Sequence, residues 1–425
     1  MKKIILLLLL LFGINCFAQY DFPMKNPYVA TILGSSKIMT KGVPKKIPTE
    51  EFKIIIDKNR EIPANLWYEK GFKFSLNKQK KKAPLIFVLS GTGGAYNSTK
   101  TQNFAKILYN AGYNVVSVSS AFNNNFILNV SNSKVPGVLL QDGLDLYKAM
   151  ESMLNTIKKD EKIEITDIYL TGYSMGATHS AVVSYLDSKY KKFNFKRVFL
   201  INPSINLYYS ATALDGMLIN NINNRGDIGD LVQTAVEKLK NNISASDLKI
   251  SEESIYSIFE KHELTNKEMQ SLIGLAFNLV SIDINYLVDQ LNNTHVYSNT
   301  EPGKFSNMYP YFKSINFATF SDYLENLAYP YYAQVLGGNL KFDDIVKYGD
   351  LRILKKYLKN SKNIVTVTNE DDFILSNEDR KFIKNTFGKH SLIYPYGGHC
   401  GNMFYQTNVD KMLQFLNKGE FNNEL

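Results

Sequence analysis

Short apolar runs alternate with amphipathic stretches through the first half of the chain. Four continuous apolar runs have the length of buried strands and occupy residues 85–89, 115–118, 168–171 and 198–201. Between them, apolar residues recur at helical spacing over residues 101–111, 139–157 and 174–190. Continuous apolar strands separated by helices are typical of a mostly parallel sheet that is covered on both faces. The pattern therefore predicts a doubly wound α/β domain.

The alternation stops between residues 206 and 338, where the sequence is typical of helices, with runs at 231–239, 251–261 and 266–291. A segment rich in tyrosine and phenylalanine follows. Strand and helix patterns then resume at residues 364–367, 378–387, 392–394 and 409–416. We therefore predict a core domain of residues 20–205 and 339–425, with a helical cap of residues 206–338 inserted after the strand Val198–Ile201. We expect this cap to be a lid whose aromatic residues form either its own core or an apolar pocket.

The N-terminus has the layout of a secretory signal peptide, in which two lysines precede an apolar run at residues 4–12 and small residues follow. That run is roughly half the ~20 residues that a membrane-spanning helix requires. We expect cleavage after Ala18 or Gln19, so that residues 1–19 are a signal peptide and the protein is periplasmic or secreted. Lipid attachment at Cys16 is the less favoured alternative, because the two preceding residues suit it poorly.

The chain that follows the predicted signal peptide begins with a segment that shows no periodicity. Residues 20–50 contain four prolines and are expected to be irregular. Two strand-like stretches follow at residues 52–57 and 67–76, ahead of a lysine-rich turn. No later stretch stands out as apolar enough to span a bilayer.

The net charge and the cysteine content limit the binding partners and the disulfide bonds that this protein could have. The formal net charge is +9, and loss of the two leader lysines would reduce it to +7 (9 − 2). The basic residues are scattered without interleaved aromatics, which favours a solvated surface over nucleic-acid binding and leaves weak attraction to anionic membrane surfaces open. Cys16 would leave with the leader, so Cys400 has no partner for an internal disulfide. We read Cys400 as a small buried residue, and no metal or cofactor is implied.

The strongest chemical signal is the run Gly172-Tyr173-Ser174-Met175-Gly176. It matches the G-x-S-x-G nucleophile elbow, in which a serine sits on a sharp turn between a strand and a helix. Small flanking residues are required there because the turn brings strand and helix close together. The motif alone is weak, but a buried strand precedes it here and an alanine-containing helix follows. A tight turn with an idle serine is the alternative interpretation.

With this motif in this setting, the chain from about residue 85 onwards, apart from the insertion, resembles the α/β-hydrolase superfamily. The family's chain order is nucleophile, acid and then histidine. The Gly-Gly-His-Cys-Gly run around His399 is similar to the family's histidine loop, so His399 is the expected base. The acid follows the strand after the insertion, which implies Asp372, with Asp371 as the runner-up and Glu370 as the weakest candidate.

The resemblance also implies an oxyanion hole, which is a pair of backbone N–H groups that stabilise the charged intermediate of acyl transfer. One donor is expected from Met175, which follows the nucleophile. The other is expected from Thr92, or from its neighbour Gly93, in the glycine-rich loop after the strand at 85–89. Ser90 stands where many relatives carry histidine, so the brace of this loop is expected to differ. A phosphate-binding P-loop is excluded because the required lysine is missing.

These features favour an exported serine hydrolase that forms an acyl-enzyme on an ester, with small-molecule or lipid-like acyl substrates. Peptidase or amidase activity and acyl transfer to another alcohol stay open, because the same triad performs all of them. A hydrolase scaffold that has lost catalysis and serves as a binding protein is a further alternative, since a fold alone does not establish an activity.

Overall fold

An eight-stranded, mostly parallel sheet runs through the centre of the molecule in a computed structural model that describes residues 20–34, 40–222, 264–298 and 301–424. The strands are β1 (Glu50–Ile54), β2 (Phe72–Asn77), β3 (Ala83–Leu89), β4 (Asn114–Val118), β5 (Ile165–Tyr173), β6 (Val198–Ile201), β7 (Ile364–Asn369) and β8 (Ser391–Tyr394). Their order across the sheet is β1-β2-β4-β3-β5-β6-β7-β8. β1 and β2 pair antiparallel, β2 pairs antiparallel with β4, and the other pairs are parallel.

Helices cover both faces of this sheet, and further helices form the described part of the long insertion between β6 and β7. The described helices are α1 (Pro27–Leu33), α2 (Thr99–Asn110), α3 (Asn124–Asn129), α4 (Leu139–Asp160), α5 (Met175–Tyr190), α6 (Leu207–Ile219), α7 (Asn266–Asn292), α8 (Tyr309–Ile315), α9 (Phe320–Tyr323), α10 (Tyr329–Leu336), α11 (Phe342–Tyr348), α12 (Lys355–Asn360), α13 (Asn377–Phe387) and α14 (Gln406–Lys418). Two apolar cores lie on opposite faces of the sheet and share its strands. Burial on both faces explains why the central strands are continuously apolar, and the predicted doubly wound α/β fold is confirmed.

Two local expectations for the N-terminal region were wrong. The strand predicted at residues 67–76 begins only at Phe72, because Ala64–Glu69 forms a 3₁₀ turn. Within the segment expected to be irregular, residues 27–33 form α1, with Pro27 in its first turn and Asn26 capping it. Seven residues are too few for a helix to be stable alone in water, so tertiary packing holds α1 in place. Such packing leaves no periodic signal in so short a stretch.

The insertion leaves the sheet and returns to it at adjacent points. Asn206 and Asp350 form an antiparallel bridge, and the N–H of Leu351 donates to the carbonyl of Ile205 at 2.7 Å. The predicted helix at 266–291 is confirmed as α7, whereas the predicted helices at 231–239 and 251–261 lie outside the described residues. By length and composition α7 could cross a membrane, which the sequence pattern had not suggested. Its buried amides nevertheless donate to protein carbonyls, as Asn278 does to Ala318.

Several aromatic residues of the insertion form a core between it and the sheet domain. Phe320 is fully buried and lies 5.6 Å from Phe122, measured between ring centroids. The buried hydroxyls of Tyr323 and Tyr332 donate to the carbonyls of Pro136 and Val135. These rings therefore fix the insertion on the core domain.

Candidate active site

Ser174 lies on a sharp turn between β5 and α5. Its backbone is in a strained conformation, with φ at 55° and ψ at −130°. A Cβ atom added at Gly176 would lie 2.1 Å from the carbonyl oxygen of Leu89, and one added at Gly172 would lie 2.4 Å from the carbonyl oxygen of Gly176. The two glycines are thus required by close backbone packing. The turn leaves the serine side chain partly accessible at the carboxyl edge of the sheet.

His399 joins Ser174 to Asp372 through two hydrogen bonds. The Nε2 atom lies 2.9 Å from the Ser174 hydroxyl, and Nδ1 lies 3.1 Å from each carboxylate oxygen of Asp372. An ionised carboxylate only accepts, so the proton of a neutral imidazole lies on Nδ1 and Nε2 accepts from the serine hydroxyl. The His399 side chain is 15% exposed while that of Asp372 is fully buried. Three residues that are far apart in sequence are thus brought into hydrogen-bond contact.

The two neighbouring aspartates after β7 have different partners. Besides His399, the Asp372 carboxylate accepts from the amide of Asn202 at 2.8 Å. The Asp371 carboxylate accepts from the backbone N–H groups of Gly398 and Gly397, at 2.9 and 3.2 Å. Burial raises the pKa of Asp371, and these two N–H groups oppose that change. Asp371 therefore holds the backbone of the histidine loop, whereas Asp372 contacts the imidazole.

The protonation of His399 is set by competing effects. Burial lowers the pKa of the imidazole, but the Cys400 sulfur, which is 3.8 Å from Nε2, and the Asp372 carboxylate raise it above the usual 6.5. Only a neutral imidazole can take the serine proton. If His399 is the base, kcat/KM should therefore rise with pH through a midpoint above 6.5. A stopped-flow or plate-reader pH profile measures this midpoint, and a midpoint at or below 6.5 would contradict this account of the site.

The loop after β3 lies beside Ser174. The N–H of Gly94 donates to the carbonyl of Gly91 at 2.8 Å and closes a turn in which Thr92 and Gly93 are the central residues. Gly93 has φ at +69°, which suits glycine at the third position of a type II turn. A Cβ atom at Gly91 would lie 3.1 Å from the Cβ of Ser174. The N–H groups of Thr92 and Gly93 do not take part in the turn's own bond, and Met175 begins α5, where N–H groups have no intrahelical partner.

The serine at position 90 of this loop has a bracing role. The buried hydroxyl of Ser90 donates to the carbonyl of Val118 at 2.9 Å and contacts the Thr101 hydroxyl at 2.8 Å. The amide of Asn123 further holds the loop by donating to the carbonyl of Gly93 at 2.8 Å. The departure noted in the sequence thus leaves a loop that is fixed by a different set of hydrogen bonds.

Helix α7 of the insertion covers the same loop. A Cβ atom at Gly93 would lie 2.6 Å from the Val280 side chain, so α7 packs directly against the backbone there. Leu279 and Asp283, on neighbouring turns of the helix, are exposed. The insertion therefore lies against the loop that is beside Ser174.

Three residues that support this site were not singled out from the sequence. Asn202 follows β6 and holds Asp372, and Asn369 at the end of β7 donates to the carbonyl of Gly398 at 2.7 Å. Polar residues at the carboxyl ends of parallel strands meet at one edge, so their positions could have indicated both. Thr31, which accepts from the N–H of His399 at 2.8 Å, lies in α1 and carried no such signal. Among the described residues, no group of three or more His, Cys, Asp or Glu side chains is placed to hold a metal ion.

Solved structures similar to this chain include several esterases. A fungal esterase from Rhizomucor miehei is 12% identical, with 93% of this chain and 98% of that chain covered and a TM-score of 0.43. A brefeldin A esterase described as a bacterial homologue of human hormone-sensitive lipase is 10% identical, with coverages of 96% and 90% and a TM-score of 0.41. A proline iminopeptidase from Mycobacterium smegmatis is 12% identical, with coverages of 87% and 98% and a TM-score of 0.41. No family model and no curated protein matches the sequence. The strand order and the nucleophile elbow, rather than these distant likenesses, define the fold.

Proposed function

We propose that this chain, whose strand order and nucleophile elbow are those expected of an α/β-hydrolase, hydrolyses carboxylic esters, with Ser174 as the nucleophile, His399 as the base and Asp372 as the acid. One observation carries the proposal, namely the continuous hydrogen-bonded chain from Asp372 through His399 to a serine on a strained elbow. If Ser174 were a non-catalytic serine on a tight turn, there would be no reason for a histidine and a buried carboxylate to be lined up with its hydroxyl. The arrangement of base and orienting acid is what activates a hydroxyl as a nucleophile.

The reaction would proceed by two acyl transfers. Ser174 Oγ attacks the ester carbonyl while His399 Nε2 takes its proton, and the tetrahedral intermediate expels the alcohol, which leaves with that proton. Water then attacks the acyl-enzyme with the same base and releases the acid and free Ser174. Asp372 would hold Nδ1–H and stabilise the imidazolium that forms in each half-reaction. Its full burial strengthens that stabilisation because water does not screen the charges.

The developing oxyanion would be stabilised by the N–H groups of Met175 and Thr92, with Gly93 as the neighbouring alternative. This assignment is supported by the turn, whose own hydrogen bond does not use the N–H groups of Thr92 and Gly93, and by the close approach of Gly91 to Ser174. Each such donor is worth about 3 kcal/mol in the transition state. Backbone donors do not depend on the side chain at position 90, so the serine there is compatible with the function.

Lipid-like esters are the favoured substrates within this class. The support is that the apolar side chain of Val280, in α7, packs on the oxyanion loop, and that Leu279 beside it in the chain is exposed. We also propose that the protein is exported and that its signal peptide ends at Ala18 or Gln19, since Tyr20 is already buried in the core. N-terminal sequencing of the protein recovered from the periplasm or medium tests that point.

A substrate panel on the exported protein tests the proposed activity. We expect turnover of p-nitrophenyl esters, with kcat/KM rising from acetate towards medium-length acyl chains because the apolar Val280 side chain borders the oxyanion loop. Amino-acid p-nitroanilides of matched size should be cleaved far more slowly. Cleavage of anilides without esters would favour the peptidase alternative, and an acyl product that forms only with an added alcohol would favour the acyltransferase. If the folded protein turns over no substrate of the panel, the remaining alternative is a binding protein on a hydrolase scaffold that has lost catalysis.

A further inference from the structure

Helix α1 lies directly against the histidine loop. The Thr31 hydroxyl accepts from the N–H of His399 at 2.8 Å and donates to the carbonyl of Pro27 at 2.7 Å. A Cβ atom at Gly398 would lie 2.2 Å from the carbonyl oxygen of Pro27, and one at Gly401 would lie 2.2 Å from that of Ala30. The glycines on either side of His399 thus allow the helix and the loop to make backbone contact.

The same helix also contacts the acid loop. The rings of Tyr28 and Phe373 are stacked, with centroids 5.8 Å apart. Phe373 directly follows Asp372, and its ring centroid is 6.2 Å from that of His399. One short helix therefore borders both loops that carry the acid and the base of the proposed triad.

α1 also contacts helix α7 of the insertion. The amide of Gln270 donates to the Tyr28 hydroxyl at 2.6 Å, and the amide of Asn26 donates to the side-chain oxygen of Asn266 at 2.8 Å. A small apolar cluster surrounds these bonds and consists of Leu264 and Met269 packed against Tyr28, Val29, Ile32, Leu33 and Leu272. α1 therefore connects the insertion to both catalytic loops, in addition to the direct bond from Ser210 of the insertion to the carbonyl of Ile374.

The chain ahead of α1 is itself anchored to the region that follows His399. Tyr20 is buried, and its hydroxyl accepts from the amides of Asn402 and Asn408 at 2.8 and 3.1 Å. The Tyr396 hydroxyl donates to the carbonyl of Tyr20. Both ends of the N-terminal segment are thus tied to the core, which fixes α1 against the loop.

We propose that α1 is a positioning element of the active site, in which Thr31 sets the orientation of His399 and Tyr28 couples that orientation to the insertion. This inference rests on the proposed function. A hydroxyl bonded to the backbone of the base restricts the loop on which the imidazole swings, and a misplacement of about 1 Å at a reacting group costs on the order of 100-fold in rate.

Thr31→Val keeps the shape of the side chain and removes the hydroxyl. We expect kcat for the best ester to fall by roughly 10- to 100-fold with little change in KM, because His399 rather than the substrate pocket is displaced. Thr31→Ser, which restores the hydroxyl, should return kcat to near the wild-type value. Thr156→Val is the matched control, since Thr156 is also half-buried and makes the same bond to the carbonyl four residues earlier, but it lies at the end of α4.

Tyr28→Phe is a milder second variant, which keeps the stacked ring and loses only the bond from Gln270. We expect a smaller loss of kcat, again with KM nearly unchanged, and the variant serves if Thr31→Val does not fold. If the wild type is active and every folded variant has the wild-type kcat, α1 has no positioning role. The proposed function would be unaffected by that result. An inactive, folded wild type would instead count against the proposed function itself.

Discussion

Ser174→Ala lowers kcat for ester hydrolysis by roughly 10⁴-fold or more if Ser174 is the nucleophile, because no other group can form the acyl-enzyme. The thermal unfolding midpoint should stay nearly constant. Serine and alanine both carry a Cβ atom, so the backbone strain from the positive φ at position 174 is the same in the two proteins. The hydrogen bond to His399 that is lost lies in a partly accessible site, so its loss should change stability little. Steady-state kinetics and differential scanning fluorimetry on the same preparation measure both quantities.

Ser188→Ala provides the matched control for that experiment. Ser188 lies on the same helix, α5, but is exposed, and its hydroxyl donates only to the carbonyl of Tyr185. This variant should retain full activity. Ester hydrolysis by Ser174→Ala at a rate comparable to that of Ser188→Ala would exclude Ser174 as the nucleophile.

Asp372→Asn should reduce kcat by about 10⁴-fold, the effect expected when the base is held in the wrong tautomer. An asparagine amide can donate to Nδ1, which favours the proton on Nε2 and leaves no acceptor for the serine hydroxyl. The loss should appear in kcat with KM largely unchanged, because the substrate does not touch this buried residue. Kinetics at several pH values separate this effect from a shifted pKa of His399.

Asp371→Asn is the neighbouring comparison, and its effect should be far smaller. An asparagine oxygen at this position still accepts from the backbone of Gly398 or Gly397, so the histidine loop keeps most of its support. The opposite ranking, with Asp371→Asn nearly inactive and Asp372→Asn active, would reverse the assignment of the two carboxylates.

The periodic pattern of the sequence was sufficient for the sheet because each central strand is buried on both faces and therefore reads as a continuous apolar run. The elbow could be located for a related reason, since Gly172 and Gly176 are demanded by backbone contacts that no larger residue allows. Local chemistry of this kind is written directly into the sequence.

Other features depend on contacts between distant segments and left no local pattern. Asp371 and Asp372 are adjacent on one loop, and only the direction in which that loop turns decides which carboxylate meets His399. α1 is too short and too dependent on its packing partners to produce a helical period. The amides of Asn202 and Asn369 gain their roles from strand ends that lie side by side only once the sheet has formed.

Labelling with a fluorophosphonate, followed by peptide mapping by mass spectrometry, tests the central claim most directly. Such a probe forms a covalent bond only with a serine that a neighbouring base has activated. We predict one adduct per chain on the peptide that contains Ser174, its absence in Ser174→Ala and its slow formation in Asp372→Asn. Folded protein that acquires no adduct, or acquires it on a different serine, would contradict the account.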